Sequence, residues 1–190
     1  MPRRSAPSDR SKRPLGAARL DELALAYVAR FATSRAKLTR YLARKVRESE
    51  WMDDVDAMTA CEAVADRMER LRYLDDRQYA AMRAGAMTRR GLGVRRVKAQ
   101  LYVDGIAEAD SSEAIEAAEG AATSAAIDFA RRRRFGPFAA GAIEDPKLRE
   151  RQIAAFLRAG HSMAIARRIL AVPPGDDAAL AALDDAAGLD

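Results

Sequence analysis

The sequence repeats itself, and this repeat limits the chain to a fold built from similar helical modules. Three segments align without gaps, each a small residue followed by a short amphipathic stretch: Ser34-RAKLTRYL, Gly93-VRRVKAQL and Ser162-MAIARRIL. The equivalent positions are Leu38, Val97 and Ala166, then Leu42, Leu101 and Leu170, and, upstream of the turns, Arg30, Arg89 and Arg158. Repeats of this size stack as modules rather than forming one large core.

The periodicity within the repeats is helical. In residues 35–47, Leu38, Leu42 and Val46 recur every four residues, which is typical of one face of a helix. No stretch shows sustained alternation of apolar and polar residues between turn signals, so we predict no sheet. The expected fold is all-α: an elongated array of three tandem three-helix repeats with helix-turn-helix-like modules.

Composition places the boundaries of this array. Residues 1–14 are polar and basic and should form a disordered tail, and residues 173–190 carry five aspartates and no base and should form a solvated acidic tail containing at most a weak helix. Between the tails we expect a first helical repeat over 15–72, a second over 73–120 and a third over 121–172.

Two adjacent aspartates in the segment RYLDDRQYA raise the question of acid/base chemistry. Asp75 and Gln78 have the spacing of a capping box, whereas the repeat aligns Asp76 with Asp145, which precedes a proline. Either aspartate can therefore be the cap. A catalytic carboxylate needs a partner base, a metal or a pocket, and the sequence supplies none, so both aspartates are interpreted as a helix start.

No other motif indicates catalysis, a cofactor or a metal. Gly91-Leu92-Gly93 lacks the remaining residues of a nucleotide-binding loop and is interpreted as a flexible turn between helices. His161 and Cys61 are the only histidine and cysteine, too few for a zinc site. We expect no enzyme. The single cysteine fits a reducing compartment, and no apolar run approaches the roughly 20 residues of a membrane span, so a cytoplasmic location is expected.

Basic residues give the clearest functional signal. The net charge is +5 and the sequence pI about 9.6, which favours an anionic partner. Two interpretations stay open, solvated helix faces or a basic track that meets phosphates or acidic protein. Aromatics make up only 6% of the residues, which argues against a base-stacking platform. The candidate partner-binding residues are Lys37, Arg40, Arg44, Arg47, Arg89, Arg95, Arg96, Lys98, Arg131, Arg132, Arg158, Arg167 and Arg168.

An ordered set of short motifs resembles the RecX family of regulatory proteins over about residues 20–172. The motifs are YLDD with the following Tyr79, then RRGLGVRRVKAQL, DGI at 104–106, RRRFG at 132–136 and LRERQIAAFLRAGHS. The resemblance implies tandem three-helix repeats that bind the RecA recombinase filament on single-stranded DNA. It also implies inhibition of filament extension, ATPase, strand exchange and co-protease activity.

The expected partner is therefore the RecA nucleoprotein filament, with single- or double-stranded DNA as a second candidate, and the expected state is a monomer. No cofactor is expected. The alternative function is a helical DNA-binding protein that acts on nucleic acid directly through a basic face.

Overall fold

The three small residues that the repeat aligns each begin a helix. Ser34, Gly93 and Ser162 are the N-caps of the helices Arg35–Arg47, Val94–Asp104 and Met163–Ala171. The Ser34 and Ser162 hydroxyls accept hydrogen bonds from the backbone N–H of the third helical residue, at 3.3 and 3.1 Å, which satisfies groups that a helix start leaves open. The aligned residues Leu38, Val97 and Ala166 are all 0% exposed, as equivalent core positions should be.

The computed structural model describes residues 13–142 and 144–187, and these form an all-α fold of two compact units divided between Asp75 and Asp76. The first unit contains the strands β1 (Pro14–Leu15) and β2 (Glu50–Trp51) and the helices α1 (Ala17–Val28), α2 (Arg35–Arg47) and α3 (Ala57–Arg70). The second contains the helices α4 (Asp76–Arg89), α5 (Val94–Asp104), α6 (Glu108–Gly120), α7 (Ala122–Arg133), α8 (Pro146–Ala159), α9 (Met163–Ala171) and α10 (Asp177–Ala187), with a 3-10 turn at Gly136–Phe138.

The core of the first unit is formed where α1, α2 and α3 pack on one another. Its largest fully buried side chains are Leu20, Leu38, Leu42 and Met68. Leu38 and Leu42 lie one helical turn apart, so both face this core while the basic residues of α2 remain at the surface. Cys61 is also fully buried and packs as a small apolar residue.

A short parallel strand pair contradicts the prediction of no sheet. Pro14 pairs with Glu50 and Leu15 with Trp51, and Leu15 is only 4% exposed. With two residues per strand, the pair is too short to show alternation in the sequence. The predicted tail 1–14 is therefore wrong at its end, since Pro14 belongs to the fold, and residues 1–12 lie outside the described residues.

The helix-start interpretation of the adjacent aspartates fits the boundaries of α4. Asp76 is its first helical residue, which puts Asp75 immediately before the helix and Gln78 at the third helical position, the arrangement of a capping box. The structure favours Asp75 as the capping residue over Asp76. Asp145 has the same place before α8, where its carboxylate accepts a hydrogen bond from the Lys147 backbone N–H at 2.9 Å.

A buried aspartate links α4 to the end of α5. Asp104 is 4% exposed and ends α5. Its carboxylate accepts hydrogen bonds from the Tyr79 hydroxyl at 2.9 Å and from the Gln100 amide at 3.0 Å, and it lies 3.4 Å from the Arg83 guanidinium. These partners offset the cost of burying the carboxylate. Gly105 then adopts a left-handed conformation that ends the helix.

The core around α7, α8 and α9 is aromatic. The rings of Phe129, Phe135, Phe156 and His161 pack together, with Phe129 to Phe156 at 5.0 Å between centroids. The final helix α10 adds Leu180, which is 6% exposed. The predicted acidic tail over 173–190 thus contains a helix that packs on α7 and α9 through Ala179, Leu180 and Leu183, while its other described side chains remain exposed.

In the second unit, α8 meets α5 end to end through two glycines. The Gly93 N–H donates to the Ala159 carbonyl at 2.9 Å, and the Arg95 N–H donates to the Gly160 carbonyl at 3.2 Å. A Cβ atom on Gly93 would lie 2.3 Å from the Gly160 carbonyl carbon, so no side chain fits there. The Gly-Leu-Gly turn is therefore closely packed, contrary to the flexible turn that the sequence indicated.

We predict that Gly93→Ala destabilises the protein by about 3 kcal/mol, because overpacking against backbone cannot be relieved by a rotamer change. The φ of Gly93 is −79°, which alanine adopts easily, so the loss reports the close contact alone. Gly120→Ala is the matched control, because nothing lies within 4 Å of its Cβ position. Urea unfolding followed by circular dichroism should show no loss for the control, and equal stability of both variants would contradict the prediction.

Candidate partner-binding surfaces

A basic hollow covers one side of α2 in the first unit. It has a volume of about 300 Å³ and is lined by Tyr27, Lys37, Arg40, Tyr41, Arg44 and Arg47. We call it the α2 hollow. The four predicted basic residues of this helix recur every three or four positions, so one face of α2 presents them together. The sequence prediction of a basic stripe on α2 thus agrees with where the structure puts these side chains.

Aromatic rings lie among the cations of the α2 hollow. The rings of Tyr27 and Tyr41 stack at 4.3 Å with an interplanar angle of 20°, and Phe31, 51% exposed, lies 5.2 Å from Tyr27. The Arg44 guanidinium and the Lys45 ammonium lie 5.6 and 5.9 Å from the Tyr41 ring, within cation–π range. The low aromatic content argued against such a platform, but three of the five aromatic residues of the first unit, Tyr27, Phe31 and Tyr41, meet in one place.

A larger basic groove lies in the second unit, between α5, α7 and α8. Its volume is about 500 Å³. We call it the α8 groove. Four arginines and a mainly apolar floor line it. The arginines are Arg96, Arg133, Arg151 and Arg158, and the floor consists of Leu92, Phe129, Phe135, Leu148, Ala155, Ala159 and the buried Gln152. No acidic residue is among the lining residues.

The four guanidinium groups of the α8 groove have no acidic partner among residues 13–142 and 144–187. Arg133 lies 5.8 Å from the Phe129 ring, which is a cation–π contact with the floor. Sequence analysis identified Arg96 and Arg158 but missed Arg133 and Arg151. Arg151 and Arg158 lie two helical turns apart, and this spacing could have predicted Arg151 from the sequence.

Other predicted basic residues take part in contacts within the protein. Lys98 pairs with Glu119 at 2.7 Å, and Arg131 pairs with Asp128 at 2.7 Å and lies over the Phe138 ring. The Arg132 guanidinium donates to the backbone carbonyl at the end of α4. These intramolecular contacts account for the three basic residues without any binding partner outside the protein. The remaining predicted residues, Arg89, Arg95, Arg167 and Arg168, are exposed.

The structure brings together no catalytic or metal-binding group in the part of the chain that it describes. No cluster of three or more His, Cys, Asp or Glu side chains among these residues could hold a metal ion. Burial raises the pKa of the Cys61 thiol, and the nearby carboxylates of Glu62 and Asp56 raise it further, which makes it a poor nucleophile. No helix within residues 13–142 and 144–187 is long and apolar enough to cross a membrane.

Comparison with known proteins identifies the family. No protein-family model matches the chain. The regulatory protein RecX of Myxococcus xanthus (strain DK1622) is 31% identical over 156 residues, which make up 80% of this chain and 83% of that protein. This chain belongs to the RecX family of regulatory proteins. A crystal structure of a regulatory protein RecX matches with a TM-score of 0.59 at 18% identity, over 80% of this chain and 70% of that one, which supports the all-α fold.

Three residues of the motifs by which the chain resembles RecX proteins, Tyr79, Asp104 and His161, are buried and contribute to the fold. Tyr79 and Asp104 form the buried hydrogen bond between α4 and the end of α5. His161 is 2% exposed, and its Nε2 lies 3.0 Å from the Gly91 carbonyl, which can only accept. The imidazole therefore carries its hydrogen on Nε2 and donates to that carbonyl. It ties the turn before α9 to the turn before α5.

We predict that acid destabilises the protein in part through His161. Burial lowers the pKa of His161, although the bond to Gly91 opposes the shift, and the buried Nδ1 has no hydrogen-bond partner among the described residues. The folded state thus favours the neutral imidazole, whereas the unfolded chain binds a proton near pH 6.5. The stability that neutral His161 contributes is present above about pH 6.5 and is lost as the pH falls toward its lower folded-state pKa.

The measurement compares urea unfolding of the wild type and His161→Phe at about pH 7.5 and about pH 5.5. His161 is the single histidine, and phenylalanine keeps the ring packing against Phe129 and Phe156. The free energy of unfolding of the variant minus that of the wild type should increase from about pH 7.5 to about pH 5.5. The titration of carboxylates is common to both proteins and cancels in this difference. A difference that does not change with pH would contradict the prediction.

Proposed function

We propose that this RecX-family protein regulates the RecA recombinase by binding its filament on single-stranded DNA. On this proposal it inhibits filament extension, ATPase, strand exchange and co-protease activity. The observation that carries the proposal is the 31% identity to a regulatory protein RecX over 80% of this chain. The ordered motifs from Tyr73 to Ser162 point to the same family.

The proposed mechanism relies on many weak contacts. Exposed cations occur on helices of both units, and each exposed ion pair contributes only about 0.5–1 kcal/mol. Several such contacts made by one chain sum, because the first bound module raises the effective concentration of the next. A protein held in this way obstructs the addition of RecA protomers and the movements that ATP hydrolysis requires. No catalytic group of its own is needed.

The test is the ATPase rate of RecA from the same organism on single-stranded DNA, with filament length measured in parallel. The wild-type protein should lower the ATPase rate with increasing concentration and shorten the filaments. Arg95→Glu with Arg96→Glu should raise the inhibitor concentration for half effect about fivefold to thirtyfold, the range expected for two contacts of about 0.5–1 kcal/mol each.

The matched control is Arg70→Glu with Arg90→Glu. Both residues are exposed, neither forms an ion pair among the described residues, and neither was a candidate. This pair changes the net charge by the same amount and should inhibit like the wild type. An unaffected ATPase rate and filament length with wild-type protein would overturn the proposed function. Equal losses from both pairs would leave only net charge as the cause.

The second candidate function is direct binding of nucleic acid, and the α2 hollow favours it. Stacked Tyr27 and Tyr41 rings with neighbouring cations combine the two features of a single-strand binding surface, a π-face for bases and positive charge for phosphates. The sugar–phosphate backbone would follow α2, and Phe31 offers a further exposed ring.

We predict that Arg40→Glu with Arg44→Glu weakens binding to a labelled oligo(dT) and flattens its salt dependence, because fewer counterions are released. Tyr41→Leu should weaken binding by about 1 kcal/mol or more without changing the salt slope, since it removes stacking alone. Fluorescence anisotropy across a salt series measures both. Wild-type affinity and slope in both variants would exclude the α2 hollow. If RecA inhibition persists at salt that abolishes oligo(dT) binding, the filament rather than free DNA is the target.

A further inference from the structure

The α8 groove combines two chemistries in one place. Its rim carries four guanidinium groups, and its floor is apolar. We propose that the α8 groove binds an acidic peptide segment of a partner protein, with one large apolar side chain of that segment on the floor and its flanking carboxylates paired with the arginines. This inference goes beyond the proposed function, because it does not require that the partner be RecA.

The charge of the rim favours carboxylates. Four like charges repel one another across a groove that contains no acid of its own, and an anionic occupant removes this repulsion. Elsewhere in the chain, arginine pairs with acids that lie near it. The carboxylates of Glu62, Asp66 and Glu69 lie 2.7, 2.5 and 3.6 Å from the Arg35 guanidinium. The planar guanidinium also matches a carboxylate in a bidentate arrangement, which lysine cannot form.

The floor favours an apolar anchor. Leu148 remains 41% exposed at the groove, about two turns before Ala155 on the same helix. A leucine or phenylalanine seated on this floor would remove it from water, and buried apolar anchors of this kind dominate peptide affinity. A ligand with charged groups alone would leave the apolar floor exposed to water. The proposed occupant therefore carries both carboxylates and an apolar side chain.

The aromatic residues of the floor argue for a peptide over a nucleic acid. Phe129 is only 9% exposed and packs edge-on against Phe135 and Phe156, at interplanar angles of 75° and 60°. Little of its ring is therefore available for stacking a base. Leu148, at 41%, is the most exposed apolar residue of the floor, and its aliphatic side chain suits an apolar side chain better than a nucleobase.

The groove is held open by the contact between α5 and α8. Arg96 lies in the first turn of α5 and Arg158 in the last turn of α8, and the Gly93 and Gly160 backbones join these two helix ends. The backbones from which Arg96 and Arg158 project are therefore held together before any partner arrives. Such preorganisation lowers the entropy lost on binding.

The experiment measures fluorescence anisotropy of a fluorescein-labelled peptide, GDEDFEDDG, with the full-length protein. Arg151→Glu with Arg158→Glu should weaken binding by about tenfold or more, as expected for two charge-assisted pairs. The control Arg70→Glu with Arg90→Glu should stay within about twofold of the wild type. Arg151→Gln with Arg158→Gln tests the same pairs if the reversed charges alter the helical signal, and it should also weaken binding.

Two further arms separate the alternatives. The peptide GDEDSEDDG, which lacks the anchor, should bind about fivefold more weakly to the wild type, and Leu148→Ser should reduce that preference. Equal binding of the two peptides, or wild-type affinity in both arginine pairs, would overturn the proposal. Displacement of the peptide by oligo(dT) of equal charge at a lower concentration than by unlabelled peptide would also overturn it in favour of nucleic acid. None of these measurements uses RecA, so their failure is distinct from failure of the proposed function.

Discussion

The second unit depends on one contact, the end-to-end meeting of α8 and α5 through the backbones of Gly160 and Gly93. A helix C-terminus has carbonyls without partners, and a helix N-terminus has N–H groups without partners. Here the two ends satisfy each other, with the Ala159 carbonyl accepting from the Gly93 N–H at 2.9 Å. The helix dipoles also align head to tail, which is favourable. The approach is so close that only glycine fits on both sides.

The four arginines of the α8 groove differ in whether their position in a helix gives them a structural role. Arg133 and Arg158 lie in the last turns of their helices, where a cation stabilises the helix end. Arg96 lies in the first turn of α5, where a cation is unfavourable, and Arg151 lies inside α8, and neither forms an ion pair among the described residues. Helix stability thus gives no reason for Arg96 or Arg151 to be basic, whereas the acidic segment proposed for the α8 groove would.

The sequence predicted features that depend on neighbours along the chain and missed those that depend on distant residues. The helix starts at Ser34 and Ser162 and the buried positions of the repeat follow from local spacing. The module boundaries at 72, 120 and 172 stay a prediction. The Leu15–Trp51 pairing, the stack of Tyr27 on Tyr41 and the docking of Leu180 join separate segments, and no local pattern contains that information. The α8 groove was missed for the same reason, because its arginines come from three helices.

The two candidate surfaces differ in chemistry although both are basic. The α2 hollow has the half-buried rings of Tyr27 and Tyr41 among one lysine and three arginines, whereas the α8 groove has four arginines over a floor whose most exposed apolar residue is Leu148. Aromatic faces suit nucleobases, whereas aliphatic floors suit apolar side chains. The two basic surfaces therefore suit different anionic ligands. On the proposed function, the protein would meet both nucleic acid and protein. Because the hollow and the groove belong to different units with separate cores, each can be altered without disturbing the packing beneath the other.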